Sequence, residues 1–282
     1  MKIKPTNQAG QRQTHIPSTI MLIMLSVIML FPFFWLIRSA FMTQREIQTM
    51  PIKWLPSKFN FDNFIGALSA APFIVYFRNS ALLVMVNMIG SILSSSFVAF
   101  GFGRLKYKGQ GILFALLISS MMIPATVLMI PQFVGWTVLG AYNTFIPLTL
   151  PAFFGSAFYV FLLRQFYMGI PRDYDEAAFV DGANYFTIYW RIIMPLSKPA
   201  LCSVGVFTFM GTWNDFMGPL LYLERQSLRT VALGLQIFLG QYRVQLNYLM
   251  AASTLAVIPM IVLFFFAQRY FIEGITFSGL KG

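Results

Sequence analysis

Long apolar runs dominate the chain and predict helices that cross a membrane. Four runs, uncharged apart from Asp215, approach or exceed the roughly 20 residues that a spanning helix needs: residues 20–37, 79–103, 199–223 and 244–268. The uncharged stretch 109–163 is too long for one crossing. Pro131 and the turn-forming residues 139–144 are predicted to divide it into two helices. The pattern predicts an all-α integral membrane protein with six spanning helices.

The run lengths also set the domain boundaries. Strands of a membrane barrel would alternate apolar and polar residues, which these runs do not. The first run exceeds the apolar segment of a signal peptide, and no Ala-x-Ala site follows it, so we interpret it as a retained helix. We expect a polar tail at 1–19, one membrane domain at 20–271 and a second tail at 272–282.

Composition agrees with the bilayer as the main solvent and sets an orientation. Hydrophobic residues make up 57% of the 282 positions and charged residues only 10%, against about 25% in soluble domains. The net charge of +11 does not indicate nucleic-acid binding, because the basic residues are spread along the loops. With both termini cytoplasmic, 12 of the 20 Lys and Arg residues lie inside and 8 outside, as the positive-inside rule favours.

Candidate catalytic and metal chemistry is sparse. The chain has one cysteine, Cys202, and one histidine, His15, which lies in the polar N-terminal tail. The phosphate-binding pattern Gly-x₄-Gly-Lys-Ser/Thr is absent, and we find no nucleophile elbow or paired carboxylates. We therefore predict no catalytic, cofactor-binding or metal-binding residues, and an energy source on another polypeptide.

The loop at 169–198 holds the most informative polar residues. Asp173, followed three residues later by Glu176, predicts a helix N-terminus with a capping box. Ala177 and Ala178 favour the helix and leave little bulk, so that another surface can approach, and Gly182 can end the helix in a left-handed conformation. A second short helix at 184–190 is expected before Pro195 breaks the chain. The loop is thus predicted to be a helix–turn–helix that moves both adjoining spans when it is pushed.

The same loop carries a family resemblance. The pattern Glu176-Ala177-Ala178-x₃-Gly182-x₉-Ile192-x-Met194-Pro195 resembles the EAA loop of binding-protein-dependent ABC importer permeases, with Met194 where the family usually has Leu. Further similarities cover nearly the whole length and point to the smaller permease subunit of carbohydrate importers, the maltose type: the sequences at 78–80, 121–124, 213–215 and 274–282.

The resemblance implies a type I importer permease fold and a set of partners. These partners are a second, homologous permease subunit, two cytoplasmic ATPase subunits and an extracytoplasmic sugar-binding protein. ATP and Mg²⁺ would bind the ATPase, and the EAA loop would be the coupling helix seated in its groove. The coupling residues implied in this way are Asp173, Glu176, Ala177, Ala178, Gly182, Ile192, Pro195 and Lys281. The family also implies a bacterial cytoplasmic membrane as the location.

A second set of polar residues lies within or beside the spans. Asp215 is the only acidic residue within a span, and with Trp213 and Asn214 it can line a sugar path or mark a helix break near the membrane boundary. Asn79 is a further candidate for the path, with a helix–helix hydrogen bond as the alternative. The segment 224–242 is the expected docking loop for the binding protein.

Two other functions remain open from the sequence. Related permeases serve phosphorylated polyols such as glycerol phosphate, but such a substrate calls for Lys or Arg in the pathway, and the central spans have none. A secondary transporter driven by an ion gradient predicts relays of intramembrane ionisable residues, of which Asp215 is the one candidate. An ATP-driven importer of a neutral sugar is preferred.

Overall fold

The computed structural model describes residues 16–240 and 244–279, and these residues are almost entirely helical. They form fifteen α-helices: α1 (Ile16–Ala40), α2 (Gln44–Gln48), α3 (Asp62–Ala70), α4 (Phe73–Arg104), α5 (Gln110–Ser120), α6 (Ala125–Val138), α7 (Ile146–Thr149), α8 (Ala157–Gly169), α9 (Asp173–Val180), α10 (Tyr185–Ile188), α11 (Met194–Leu196), α12 (Lys198–Trp213), α13 (Met217–Tyr222), α14 (Val231–Gly234) and α15 (Leu246–Gly279). Shorter helical turns lie between them: 3₁₀ turns at Leu150–Phe154, Gln226–Leu228 and Leu235–Phe238, and a π turn at Tyr189–Ile193.

The number of possible membrane spans agrees with the predicted architecture. Four helical stretches are long and apolar enough to cross a membrane: Pro17–Ala40, Phe73–Arg104, Ile146–Gly169 and Leu246–Gln268. Two further pairs qualify as bent spans: Gln110–Ser120 with Ala125–Val138, at 92°, and Tyr185–Leu196 with Lys198–Trp213, at 77°. Counting each bent pair as one crossing, the described residues contain six.

Two local predictions need correction. Pro131 lies inside α6 and does not end it, whereas the break in this region precedes Pro124, whose ring disfavours helical conformation at Ile123. Pro195 lies in α11, within the continuous helical stretch Tyr185–Leu196 and two residues after its π turn, and the chain bends only at Ser197.

Helix α4 is the central packing element. It contacts α8 and α12 along much of its length. Its small residues permit the close approach: a Cβ added at Gly103 would lie 3.3 Å from the Cβ of Tyr167 on α8, and one at Gly90 would meet the ring of Phe153 at 2.9 Å. The side chain of Ser94 further donates to the carbonyl of Ala152 at 2.9 Å. Small side chains on α4 therefore set the spacing of the bundle.

Two buried clusters lie at opposite ends of α4. The first joins Phe73 and Tyr76 at its start to Trp213, Phe238 and other residues of the segment that precedes α15. The second joins Ala99 and Phe100 near its end to α8 and to the loop at 169–198. The second cluster thereby fixes the predicted helix–turn–helix against the membrane bundle.

The segment between α1 and α4, residues 41–72, forms a folded flap. Arg38 at the end of α1 is buried, lies 4.1 Å above the ring of Trp35 and donates hydrogen bonds to the carbonyls of Lys53 and Trp54. Asn63 in α3 donates to the carbonyls of Ala40 and Met42, at 2.8 Å each. These bonds hold the flap against the end of the first span.

Candidate functional site

Helix α9 is the first helix of the predicted helix–turn–helix, but its N-terminus differs from the prediction. Asp173 is the first helical residue, Arg172 occupies the cap position, and neither side chain there makes a capping hydrogen bond. The capping-box prediction is therefore wrong in its details. Three carboxylates, those of Asp173, Asp175 and Glu176, nevertheless occupy the first turn, where negative charge is favourable.

Asp175 supplies the anchor that the sequence analysis missed. It is buried, and its Oδ1 accepts a hydrogen bond of 2.7 Å from Nη2 of Arg104, at the end of α4. The same guanidinium donates to the carbonyl of Tyr167 in the last turn of α8 and to those of Ile170 and Pro171 in the linker to α9. Arg104 at the end of α4 thus fixes the start of α9 to two spanning helices, α4 and α8.

The turn at Gly182 ends α9 as predicted. Gly182 has a φ of +79°, in the left-handed region. The N–H of Ala183 donates to the carbonyl of Ala178 at 2.9 Å, and the N–H of Gly182 donates to that of Phe179 at 3.0 Å. These two bonds form a Schellman motif, which satisfies the last carbonyls of the helix and reverses the chain.

The second helix returns from this turn to the bundle. Asn184 caps α10 by accepting from the N–H of Thr187 at 2.9 Å. In the π turn that follows, the hydroxyls of buried Tyr189 and of Ser96 on α4 are hydrogen-bonded at 2.6 Å. Ile192 packs partly buried against the second cluster, and Pro195 is exposed. The predicted second helix is therefore present and is tied to the bundle at its π turn.

The helix–turn–helix presents a mixed acidic and apolar surface. Ala178 faces the bundle, at 8% exposure, whereas Glu176 and Ala177 are exposed. Large apolar side chains are exposed near the turn: Phe179, Val180 (88% exposed), Tyr185 and Phe186. Contiguous exposed apolar side chains beside a carboxylate are typical of a protein interaction site. We name these exposed residues, with Glu176 and Ala177, the loop tip.

Three of the four candidates for a substrate path make structural contacts. Asn79 is buried and donates to the carbonyls of Ser227 and Arg229, at 2.8 and 3.0 Å. Trp213 is buried on Phe209, and its indole N–H donates to the carbonyl of Ala256 on α15 at 3.0 Å. Asn214 is exposed and donates to the carbonyl of Met210 one turn earlier.

The fourth candidate, Asp215, lines a cavity. The helix break predicted at this position is present, because α12 ends at Trp213 and α13 begins at Met217. Oδ1 of Asp215 accepts from the N–H of Gly218 at 3.0 Å, and the residue faces a space of about 400 Å³. The seven polar residues that line this central cavity are Asn87, Ser91, Gln132, Tyr159, Thr208, Thr212 and Asp215.

Buried polar atoms of the central cavity have no partner within the described chain. The Nδ2 of Asn87 donates to the carbonyl of Leu148 and the hydroxyl of Thr212, but its Oδ1 is unpaired. The Oγ1 of Thr208 is also buried and unpaired. Because buried polar atoms in native proteins are nearly always hydrogen-bonded, these atoms indicate a surface suited to a polar ligand or to water.

The sequence analysis missed most residues of this cavity. Gln132, Tyr159 and Thr208 come from three different helices and show no common spacing in the chain. Polar residues inside apolar runs were the one signal that could have found them. Among the described residues, no group of three or more His, Cys, Asp or Glu side chains could hold a metal ion. Lys281 lies outside the described residues.

Comparison with solved structures supports the fold. A chain from a bacterial ABC transporter involved in the import of the acidic polysaccharide alginate superposes with a TM-score of 0.80 at 20% identity, covering 95% of this chain and all of the other. A second alginate transporter structure, in complex with an alginate pentasaccharide-bound periplasmic protein, matches with a TM-score of 0.65 at 14% identity. The architecture is that of an ABC importer permease.

Comparison of sequences identifies the family. The family described as binding-protein-dependent transport system inner membrane component matches residues 87–276. The arabinooligosaccharides transport system permease protein AraQ of Bacillus subtilis is 32% identical, covering 94% of this chain and 95% of the relative. The trehalose/maltose transport system permease protein MalG of Thermococcus litoralis is 30% identical, covering 92% and 94%.

The fold and the matches together define the class of protein. The chain is a polytopic, helical membrane permease of a transport system, and not an enzyme. It belongs to the family of inner membrane components of binding-protein-dependent transport systems.

Proposed function

We propose that this chain is one of two permease subunits of an ATP-driven importer for a neutral sugar, and that it couples to a cytoplasmic ATPase through the loop at 169–198. The observation that carries the proposal is the fixed loop tip. Helix α9 is held at its start by Arg104 and at its end by the turn at Gly182, while Glu176 remains exposed between them. ATP and Mg²⁺ bind the partner ATPase in this proposal.

The contacts of the loop make it suitable as a lever. A force on α9 reaches α4 through Arg104 and Asp175, and it reaches α8 through the carbonyls that Arg104 holds. The same force reaches α4 again through Tyr189 and Ser96. Closure of an ATPase dimer would thereby shift the population of inward- and outward-facing states of the whole bundle.

Glu176 is the proposed ionic contact with the ATPase. Its carboxylate is exposed at the loop tip beside apolar side chains, and a cation in an ATPase groove would complement it. The small side chain of Ala177 lets that groove approach the helix backbone closely. Lys281 is proposed as a further contact on the basis of the family resemblance alone.

The central cavity is the proposed sugar-facing surface of this subunit. Its lining offers hydroxyl, amide and carboxylate groups that bond sugar hydroxyls, and no Lys or Arg is among its lining residues. This lining favours a neutral sugar over a phosphorylated polyol. The substrates named for relatives also favour a sugar, since they are arabinooligosaccharides, trehalose and maltose, and starch degradation products.

The remaining partners follow from the same proposal. A second, homologous permease would complete the pathway, and an extracytoplasmic binding protein would deliver the sugar to the segment 224–242. The described part of this segment is anchored to α4, because the carbonyls of Ser227 and Arg229 accept from Asn79 and the hydroxyl of Ser80 accepts from the N–H of Val231. A docking signal there would reach α4 directly. We propose that the chain lies in a bacterial cytoplasmic membrane, with both termini in the cytoplasm.

The variant Glu176→Lys tests the coupling role. In proteoliposomes that contain the co-purified transport complex, we expect sugar uptake at least about tenfold lower than wild type, since reversing the contact charge costs more than 1.4 kcal/mol. The matched control Asp62→Lys changes an exposed carboxylate on the flap and should leave uptake unchanged.

Two outcomes would contradict the proposal. Normal sugar uptake by the Glu176→Lys variant at normal expression would contradict the proposed coupling role of Glu176. Uptake that persists when ATP hydrolysis is blocked but an ion gradient is maintained would identify a secondary transporter instead.

A further inference from the structure

A second cavity, with a different lining, lies where α4 ends. It has a volume of about 310 Å³ and is enclosed by the end of α4, the start of α5, helix α8 and the start of α9. Four cationic side chains line it: Arg104, Lys106, Arg164 and Arg172. We call it the basic pocket. Its polar lining is completed by the amide of Gln110, and no carboxylate is among its lining residues.

The charges of the basic pocket are largely uncompensated. Arg104 pairs with Asp175, behind the pocket. Within the described residues, Lys106, Arg164 and Arg172 make no ion pair with a carboxylate. The Nε of Arg104 is buried and has no hydrogen-bond partner there. Three unpaired cations around one small cavity repel each other, and a bound anion would remove that cost.

Part of this lining has a structural role, which also holds it in place. Nε of Arg164 donates to the carbonyl of Phe102 at 3.1 Å, and its guanidinium lies 4.1 Å above the ring of Phe114. Nη1 of Arg172 donates to the carbonyl of Arg104 at 3.3 Å. Cations that cap the last carbonyls of α4 stabilise that helix end.

Capping leaves most of the donors unused. A guanidinium has five N–H groups, and the capping bonds of Arg164 and Arg172 use one each. Lys106 makes no side-chain hydrogen bond among the described residues and is exposed at the rim. The remaining donors belong to side chains that line one cationic pocket, and such a set of donors is the chemistry that recognises phosphate.

The surroundings of the pocket indicate a phosphate that carries acyl chains. Phe102, Leu105 and Met168 form an apolar wall. Helix α5, which begins at the pocket with Gln110, exposes Ile112, Leu113 and Leu116 at 70%, 51% and 63%. A lipid headgroup in the pocket would place its chains along this apolar face.

We propose that the basic pocket binds the phosphate headgroup of an anionic phospholipid. Basic pockets between membrane helices are suited to such headgroups. The site touches the linker between α8 and α9, because Arg104 and Arg172 belong to both the pocket and the anchor of α9. Bound lipid would therefore stiffen the base of the coupling loop. The lipid is proposed to belong to the cytoplasmic leaflet. That placement and the coupling role of the loop rest on the proposed function, whereas the binding site itself does not.

The test measures lipid binding by the delipidated, full-length chain in a neutral detergent. Native mass spectrometry would compare short-chain phosphatidylglycerol with phosphatidylcholine of equal chain length. We expect wild type to bind phosphatidylglycerol at least about tenfold more tightly, and Lys106→Gln to lose about fivefold, the effect of roughly one charge near a membrane surface. Lys108→Gln is the matched control, because Lys108 is exposed two residues away and does not line the pocket.

Two further variants test Arg164, which lines the pocket. Arg164→Gln should weaken phosphatidylglycerol binding as Lys106→Gln does, whereas Arg164→Lys, which keeps the charge, should retain more of it. Gel filtration and the thermal midpoint report whether each variant folds. Since Lys106 makes no internal bond, its variant tests the site even if the Arg164 variants unfold.

Three results would overturn the proposal. They are equal binding of the two lipids by wild type, an equal loss of binding in Lys106→Gln and Lys108→Gln, and competition by free glycerol phosphate as strong as that by the lipid. The last result would assign the pocket to a soluble anion. The lipid-binding assay contains no ATPase. A negative result in it would therefore contradict the lipid site alone, whereas the transport assay of Glu176→Lys tests the coupling role.

Discussion

At the scale of single residues, one ion pair anchors the start of the loop at 169–198 to the bundle. Arg104 has only 2% of its side chain exposed, and it bonds Asp175, one carbonyl of α8 and two carbonyls of the linker that precedes α9. A buried charge that loses its partner is costly, because no water replaces the lost bond. The pair therefore makes the loop position sensitive to a single substitution.

Asp175→Asn should destabilise the protein by about 3 kcal/mol, because it leaves the buried charge of Arg104 without its counter-ion. The measurement is the thermal unfolding midpoint in detergent. Asp173→Asn, at an exposed position two residues away, is the control and should change the midpoint little. Equal midpoints for wild type and Asp175→Asn would show that the pair contributes no stability.

Gly182→Ala tests the turn that ends α9. A Cβ at this position would meet no atom within 4 Å, so the cost arises from the φ of +79° alone and should be about 1 kcal/mol. Gly111→Ala is the control, since it also meets no atom but lies in α5 and has no positive φ, and there alanine should be neutral or slightly stabilising. If both substitutions change the unfolding free energy equally, the left-handed turn is not the cause.

At the scale of elements, one acidic side chain joins two parts of the flap at 41–72 to each other. Oε2 of Glu46 accepts from the N–H and the hydroxyl of Thr43, which completes a capping box, and Oε1 accepts from the N–H of Ser57. The bond from the backbone of Thr43 is the largest of the effects that lower the pKa of Glu46 from its ordinary 4.5 to about 2. Because the folded state lowers this pKa, ionised Glu46 stabilises the flap above pH 4.5.

That stabilisation should be lost as the pH falls from about 4.5 towards 2, where the folded state also takes up the proton. The measurement is the thermal midpoint of wild type and of Glu46→Gln between pH 6 and pH 3. We expect wild type to be more stable at pH 6 and the difference to shrink at pH 3. A difference that does not depend on pH would contradict the role of this carboxylate.

At the scale of the whole molecule, α4 connects the two buried clusters. Its start packs into the first cluster, beside the flap and the segment 224–240, and its end packs into the second cluster, beside the loop at 169–198. The central cavity lies between these ends and is lined by residues of α4, including Asn87 and Ser91. A shift of α4 would therefore change the cavity and both ends together.

The opposite positions of the flap and the loop give a test of orientation. In a Cys202→Ala background, Leu55→Cys on the flap and Val180→Cys on the loop tip place single thiols at exposed positions. A membrane-impermeant maleimide should label Leu55→Cys in intact cells and Val180→Cys only after permeabilisation. Labelling of Val180→Cys in intact cells would place the coupling loop outside and contradict both termini being cytoplasmic.

The sequence by itself determined the features that depend on local order. Apolar runs of bilayer length predict spanning helices, because a helix in lipid must satisfy its own backbone. The turn at Gly182 and the break after Trp213 were also predicted, since each depends on a residue type that ends a helix locally. The family pattern further predicts that the loop at 169–198 faces a partner, and this stays a prediction.

Only the tertiary structure decided which distant residues meet. Arg104 and Asp175 are 71 positions apart, and Asn79 and Arg229 are 150 apart, so no spacing rule relates them. The contacts of Asn79 and Trp213, which make them packing residues, also join positions that are distant in the chain. Both cavities are likewise assembled from several helices, so no spacing in the sequence reveals them. The apolar pattern of the sequence determines which segments form helices in the membrane. Which helices become neighbours depends instead on the small residues of α4, which allow other helices to approach closely.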